Sequence, residues 1–157
     1  EAARMPAPAR LDGGDVLRVG STLFVGMSSR TDPAGAEFLG RATGLELRPV
    51  PVAAGLHLKS AATLVDAATV VVDLAALDPA PFREAGLEVL PAREPAGGNV
   101  LAIGEHLLVS ADAPATAAML AARGHALTLL EMSEFHRADG ALTCLSLRRP
   151  PPGCWCA

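Results

Sequence analysis

A cysteine, a histidine and an aspartate in three short polar segments of this chain are the residue types that covalent catalysis by a thiol requires. They are Cys144 in LTCLSL, His57 in GLHLKS and Asp12 in LDGGD. In such a set the thiolate attacks the substrate, the imidazole transfers protons, and the carboxylate holds the imidazole in one tautomer. Because the three segments are far apart in the chain, the fold must bring them together for this chemistry.

Each of these residues also has a structural interpretation. Cys144 could be a small core residue, half of a disulfide or a metal ligand, because free cysteines are commonly buried. His57 lies between two leucines, which is typical of a core or surface histidine, and Asp12 before Gly-Gly is typical of a turn. The remaining histidines are interpreted as surface residues; they are His106, His125 and His136.

Three stretches of the chain share one order of predicted elements: a strand, a tight turn, a second strand, a helix and a third strand. A two-residue turn that contains Gly or Asp predicts each hairpin. These turns are Gly20-Ser21, Asp66-Ala67 and Gly104-Glu105. The predicted helical stretches cover 32–43, 78–86 and 113–124, and each is closed by a glycine. Two of them open with Asp-Pro and one with Asp-Ala-Pro. The predicted third strands cover 45–52, 87–92 and 125–132.

A unit of this size cannot bury its own apolar face, so the units must pack against one another. We predict an α+β fold with a radial arrangement of ββαβ units, helices outside and strands around an axis. An ordinary mixed α/β layer is the alternative. The radial arrangement would gather the polar segments that precede the units at one end, including Asp15, Asn99 and Asp139. The run LTCLSL begins as a fourth hairpin would.

The composition excludes several classes of protein. A formal net charge of −4 argues against binding to nucleic acid, and an aromatic content of 3% argues against base stacking. No apolar run approaches the roughly 18 residues that cross a membrane. Three cysteines without a secretory signal predict free thiols in a reducing compartment, which we take to be the cytoplasm.

The two ends of the sequence predict a chain that begins in mid-protein. Residue 1 is Glu, and Met5 leads into Pro-Ala-Pro, which is not typical of a translation start. We interpret 1–150 as a partial catalytic domain that lacks N-terminal units, and 151–157 as a Pro- and Cys-containing tail. Cys154 and Cys156 have no partner at zinc-motif spacing, so no metal site is expected. The open edges would permit pairing with a second copy, giving a homo-oligomer.

Four motifs in order carry a resemblance to a known family: LDGGDVL, FVGMSSRT followed by GAEFL, GLHLKS, and MSEF followed by DGALTCLSL. They resemble the dimethylarginine dimethylaminohydrolases (dimethylargininases), within the arginine deiminase and amidinotransferase superfamily. The resemblance runs from Asp12 to Leu147. It implies a pentein-like, five-bladed α/β propeller of ββαβ units, of which this chain would supply three units and a closing strand.

The resemblance also implies an activity, the hydrolysis of methylated arginine to citrulline and methylamine or dimethylamine. Cys144 matches the nucleophile, His57 the general acid and base, and Asp12 the acidic partner of the histidine. The intermediate would be a thiouronium on the cysteine, and neither a metal nor another cofactor is required. The chain as given is expected to be inactive alone, since the resemblance places further guanidinium-binding residues upstream of LDGGD.

The resemblance further implies that Arg30 holds the carboxylate of a small guanidino substrate, and that Ala138 and Asp139 bind its α-amino group. Two alternatives stay open. The first is a sibling reaction, arginine deiminase or amidinotransferase, which uses the same Cys-His-acid set. The second is a propeller without catalytic activity that binds a partner.

Overall fold

The computed structural model describes residues 3–146, which form three separate three-stranded sheets with short helices between their strands. The strands are β1 (Val16–Val19), β2 (Thr22–Met27), β3 (Glu46–Pro51), β4 (Ala62–Leu64), β5 (Thr69–Val72), β6 (Glu88–Pro91), β7 (Leu101–Ile103), β8 (His106–Ser110) and β9 (Ala126–Leu130). The helices are α1 (Pro33–Thr43), α2 (Leu58–Ala61), α3 (Ala80–Glu84), α4 (Pro114–Ala122) and α5 (Ser133–His136). Two 3₁₀ turns, Gly13–Asp15 and Pro95–Gly98, precede β1 and β7.

Each sheet has the same topology, which confirms the predicted order of strand, strand, helix and strand. The first two strands pair antiparallel, and the third returns after a helix to pair parallel with the second. The pairs Val19↔Thr22 and Ile103↔His106 leave two-residue turns, as predicted. Gly20 and Gly104 have positive φ angles, which glycine adopts without strain.

The turn of the second unit differs from the prediction. Val65 donates its N–H to the Thr69 carbonyl oxygen, so the loop contains three residues, 66–68, and not two. The Oδ1 atom of Asp66 accepts the N–H of Ala68 at 2.9 Å. This side-chain turn satisfies a backbone donor locally and needs one residue more than a two-residue hairpin turn.

The helix termini follow the predicted chemistry in part. Asp32 accepts the N–H of Gly35 at 2.9 Å, and Gly44 ends α1 in the left-handed conformation. The N-terminus of α4, by contrast, is capped from another segment. The carboxylate of Glu94 accepts the N–H groups of Ala115 at 2.7 Å and Thr116 at 3.1 Å. The Asp in the predicted capping stretch, Asp112, contacts the Nδ1 atom of His136 at 2.8 Å instead.

The core lies mainly at the boundaries between units. In the second sheet Val70 and Val72 face a cluster shared with the first unit, whereas Val71 faces a cluster shared with the third. Phe24 of β2 packs against Phe82 of α3 with their ring centroids 4.8 Å apart. Alternating side chains on one strand therefore join two neighbours, and the units hold one another together as the repeat pattern predicts.

The predicted closing strand is wrong over 142–146, the described part of LTCLSL. This segment forms turns, in which Leu145 donates its N–H to the Ala141 carbonyl oxygen at 3.2 Å. A strand needs a neighbouring strand to satisfy its backbone, and here the backbone bonds locally. Leu147 and the tail at 151–157 lie outside the described residues. Within the described part of the chain, no helix has the length and apolar character to cross a membrane.

Two aspartates that precede helices offer a matched test of capping. Among the residues that the structure describes, Asp32 accepts three donors, Gly35 N–H and the N–H and Nε–H of Arg10, whereas Asp78 accepts the N–H of Ala80 alone. Asp32→Ala is therefore expected to lower the melting temperature by several degrees, and Asp78→Ala by clearly less. Thermal unfolding followed by circular dichroism measures both, and equal losses would contradict the assigned contacts.

Candidate active site

A pocket of about 370 Å³ brings together the three residues that the sequence singles out for chemistry. Its lining residues are Asp12, Gly13, Gly14, His57, Lys59, Ser60, Thr143 and Cys144. A larger cavity of about 490 Å³ contains none of the three and lies along β1, β4 and β7. The smaller pocket is the candidate active site, because it combines a thiol, an imidazole and a carboxylate from three separate polar segments.

His57 lies at the N-terminus of α2 with its side chain buried. Its Nε2 atom is 3.2 Å from Oδ2 of Asp12, close enough for an ion pair. The contact does not have the angle that a hydrogen bond needs, and both ring nitrogens lack a hydrogen-bond partner among the described residues. The pair is therefore an electrostatic contact. A buried histidine with unused nitrogens is typical of a functional group and not of a packed core residue.

Asp12 is held in place by backbone contacts on both sides. Its Oδ1 atom accepts the N–H of Gly14 at 2.9 Å, and its own N–H donates to Oγ1 of Thr31 at 3.0 Å. The hydrogen bond from Gly14 is the main reason why the pKa of the Asp12 carboxyl lies below its ordinary value of 3.8. Partial burial acts in the opposite direction, and nearby His57 and Arg30 lower the pKa further. Asp12 is therefore a carboxylate at neutral pH.

Gly14 lies against the face of the imidazole ring of His57. A Cβ atom on Gly14 would stand 2.6 Å from Cγ and 2.8 Å from Nδ1 of His57, closer than any such contact tolerates. A Cβ atom on the neighbouring Gly13 would have no heavy atom within 4 Å. The second glycine of LDGGD is thus required for ring packing, whereas the first is not.

Asp15 is the fully buried residue that joins these segments. Its carboxylate accepts hydrogen bonds from Oγ of Ser28 at 2.6 Å, Oγ1 of Thr31 at 2.7 Å and the N–H of Leu58 at 2.9 Å. Leu58 directly follows His57, so this contact fixes the histidine relative to the LDGGD segment. Sequence analysis placed Asp15 at this end of the fold but assigned it no role. Its partners Ser28, Thr31 and Leu58 lie 13, 16 and 43 residues away in the chain, so no local sequence pattern indicates them.

The thiol of Cys144 is free and exposed at the pocket. It lies in the turn that follows Leu142, which packs against Leu101 and Met132. This position excludes the interpretation as a small buried core residue. Over residues 3–146 no three His, Cys, Asp or Glu side chains are placed so that they could hold a metal ion together.

The residues proposed to bind substrate lie farther out. Arg30 has a half-exposed side chain whose Nη1 atom is 3.9 Å from Oδ2 of Asp12, so it lies beside a lining residue of the pocket without being one itself. Ala138 and Asp139 follow α5, are exposed, and are not among the lining residues. Their N–H groups donate to the carbonyl oxygens of Phe135 and His136 within that loop. Sequence analysis missed Lys59, Ser60 and Thr143, which line the pocket beside the predicted residues.

Comparison with known proteins confirms the predicted resemblance. No protein-family model matches the chain. The dimethylarginine dimethylaminohydrolase of Streptomyces coelicolor is 41% identical over 146 residues, which are 90% of this chain and 55% of that relative. The chain thus spans about half the length of the curated relatives it matches. It is homologous to the dimethylarginine dimethylaminohydrolases over that span.

Solved structures show the same fold. A mutant dimethylarginine dimethylaminohydrolase from Pseudomonas aeruginosa, complexed with citrulline, matches 93% of this chain and 58% of its own, with a TM-score of 0.82 and 24% identity. An inosamine-phosphate amidinotransferase from Streptomyces griseus matches 92% of this chain and 48% of its own, with a TM-score of 0.79 and 20% identity. At these identities the two structures establish the fold of this chain.

The two glycines of LDGGD give a paired test of ring packing. Gly14→Ala is expected to displace the His57 ring and to destabilise the protein by about 1–3 kcal/mol, because an added methyl overpacks the contact. Gly13→Ala, at an exposed position with open space, is expected to change stability by less than about 0.5 kcal/mol. Denaturant unfolding measures the stabilities, and the NMR resonances of the His57 ring report its displacement. Similar behaviour of the two variants would contradict this packing.

The lowered pKa of Asp12 predicts a pH-dependent contribution to stability. The folded protein favours the ionised carboxyl, so the contribution is fully present above the unfolded pKa and is lost as the pH falls through the folded pKa. Asp12→Asn keeps the acceptor for the Gly14 N–H but loses the charge beside His57 and Arg30. We expect its destabilising effect, measured by urea unfolding, to be fully present at pH 6 and to shrink as the pH falls below 3.8. A stability difference that stays constant over this pH range would contradict the assignment.

Proposed function

We propose that this chain, a homologue of the dimethylarginine dimethylaminohydrolases, carries the nucleophile centre of a hydrolase that converts methylated arginine to citrulline and methylamine or dimethylamine. The observation that carries the proposal is the meeting of Cys144, His57 and Asp12, from three different units, at one pocket. The 41% identical relative bears the name of this activity, and a second relative is complexed with citrulline, the product named here.

In the proposed reaction Cys144 attacks as a thiolate. The sulfur forms a bond to the central carbon of the substrate guanidinium, whose C–N π electrons move to nitrogen. His57 then donates a proton to the methylated nitrogen, and the C–N bond breaks to release the amine. The product of this half-reaction is a thiouronium on Cys144. The exposed position of the thiol in the pocket supports this role, because a guanidinium must approach it directly.

The second half-reaction uses the same residues in reverse. His57 takes a proton from water, the hydroxyl oxygen bonds to the thiouronium carbon, and the C–S bond breaks to regenerate the thiolate and release citrulline. Asp12 stays ionised 3.2 Å from Nε2 of His57 and stabilises the protonated imidazole. Because Nε2 lies beside Asp12, Nδ1 of His57 is then the nitrogen that exchanges the proton with the amine and with water. Neither half-reaction requires a group beyond these residues and water.

Substrate binding is proposed from the positions of the outer residues. Arg30 would hold the substrate carboxylate, and its half-exposed side chain at the rim can turn outward from Asp12 toward it. Ala138 and Asp139 would bind the α-amino group; they precede Cys144 by only a few residues, and their carbonyl oxygens can accept its N–H groups. The ligand is thus a small guanidino amino acid held at both ends.

The complete fold is proposed to be a five-bladed ring. The chain covers 55% to 58% of the curated relatives, and its three units would form a partial propeller domain within residues 1–150. The resemblance assigns the residues that clasp the guanidinium to the remaining units. An exposed catalytic thiol must stay reduced, so we propose the cytoplasm as its location. Unpaired sheet edges in the chain alone would favour association with a second copy.

Replacement of the nucleophile tests the proposal in the full-length protein that contains this chain. Cys144→Ser is expected to lower kcat for asymmetric dimethylarginine by roughly 10³-fold or more, because the covalent route is lost. Cys154→Ser, which removes another thiol, is expected to keep the activity. Citrulline formation measures the rate, and mass spectrometry of the quenched wild-type protein detects the thiouronium on Cys144.

The same assay separates the sibling reactions. Arginine as a better substrate than dimethylarginine would indicate an arginine deiminase. Transfer of the amidino group to an added amine, with no citrulline formed, would indicate an amidinotransferase. No turnover of any of these substrates by the wild-type protein, together with ordinary reactivity of Cys144 toward iodoacetamide, would support a binding module instead.

A further inference from the structure

We propose that Asn99 is a positioning residue that fixes the segment of Cys144 relative to the segment of His57. The residue lies outside the predicted catalytic set, and its side chain is buried with 4% exposure. Its catalytic consequence rests on the proposed function, whereas its structural consequence does not.

The Asn99 side chain bonds to both segments that carry the proposed catalytic residues. Its Nδ2 atom donates to the carbonyl oxygen of Lys59 at 2.5 Å, two residues after His57. The same amide donates to Oγ1 of Thr143 at 2.8 Å and accepts the N–H of Thr143 at 3.3 Å, one residue before Cys144. One rigid amide group therefore links the segment of the imidazole to the segment of the thiol.

The repeat gives an independent reason for this role. The turns Gly20-Ser21 and Gly104-Glu105 are equivalent in the first and third units. Counting back from them along β1 and β7 gives Asn99 and Asp15 the same position in their units. Asp15 accepts the N–H of Leu58, the residue after His57. Equivalent positions in two units thus each bind the backbone next to a proposed catalytic residue.

Asp15 and Asn99 differ in hydrogen-bonding capacity, and each matches the donors and acceptors around it. All three partners of Asp15 are donors, Ser28, Thr31 and Leu58, and a carboxylate is an acceptor at every lone pair. Asn99 faces a donor at Thr143 and an acceptor at the Lys59 carbonyl, which an amide satisfies together and an ionised carboxylate cannot. This pattern also assigns the amide oxygen to the side of the Thr143 N–H.

The cysteine segment needs such a support because its own backbone contacts are local. Over 141–146 the described backbone bonds run within the segment, from Leu145 to Ala141 and from Ser146 to Thr143. Leu142 fixes one side of it by packing on Leu101 and Met132. The contacts of Thr143 with Asn99 fix the position next to the thiol.

The test is Asn99→Ala in the full-length protein, with Thr116→Val as the matched control. Oγ1 of the buried Thr116 also makes two hydrogen bonds to a distant segment, accepting the Arg93 N–H at 2.9 Å and donating to the Glu94 carboxylate at 2.8 Å, and neither partner belongs to the proposed catalytic segments. Asn99→Ala is expected to raise amide hydrogen exchange in the peptide that covers 141–146 and to lower kcat roughly 100-fold, with KM changed less than about threefold. Thr116→Val is expected to leave both readouts near the wild-type values.

A milder variant keeps the test open if Asn99→Ala does not fold. Thr143→Val removes only the hydroxyl contact and is expected to lower kcat about fivefold with a smaller rise in exchange. Unchanged exchange at 141–146 in Asn99→Ala would overturn the proposal, as would an equal loss of kcat in Thr116→Val. If the wild-type protein hydrolyses no methylarginine, the proposed function fails, while the exchange result still decides whether Asn99 positions the cysteine segment.

Discussion

The buried carboxylate of Asp15 is the contact on which the arrangement of the site depends. It accepts three hydrogen bonds from two units, and each of those donors left without a partner would cost about 1–3 kcal/mol. The contact with Leu58 brings α2 against the LDGGD segment, and Asp12 and His57 become neighbours as a result. Gly26 lies so close to the carboxylate that a Cβ atom there would be 2.7 Å from Oδ1, so the strand beneath is also adapted to it.

A proposed catalytic set that is shared among units has a physical advantage. Each unit packs against its neighbours through alternating side chains, as Val70, Val71 and Val72 show, so the relative position of units is fixed by a dense core. The positions of side chains on the segments that connect the units are therefore also well defined. The pocket therefore combines short, hydrogen-bonded loops with a rigid support, which suits a reaction that depends on the placement of one thiol and one imidazole.

Sequence patterns predicted the units because local rules determine them: the glycine turns, the Asp-Pro helix starts and the closing glycines all act within a few residues. The same rules failed where a distant residue intervened. Glu94 replaces the expected cap of α4, and residues 142–146 bond locally instead of forming a strand. The motifs identified Asp12, His57 and Cys144. The supporting contacts of Asp15 and Asn99 join residues far apart in the chain, and no local pattern indicates such pairs.

The cap that Glu94 provides for α4 determines where one unit ends and the next begins. Its carboxylate reaches the N–H groups of Ala115 and Thr116, and the Thr116 hydroxyl accepts the N–H of Arg93. A segment excised from β7 onward would leave the first turn of its own helix unsatisfied. The third unit, considered as a structural module, therefore starts at Arg93, ahead of its first strand, and includes the link that precedes it.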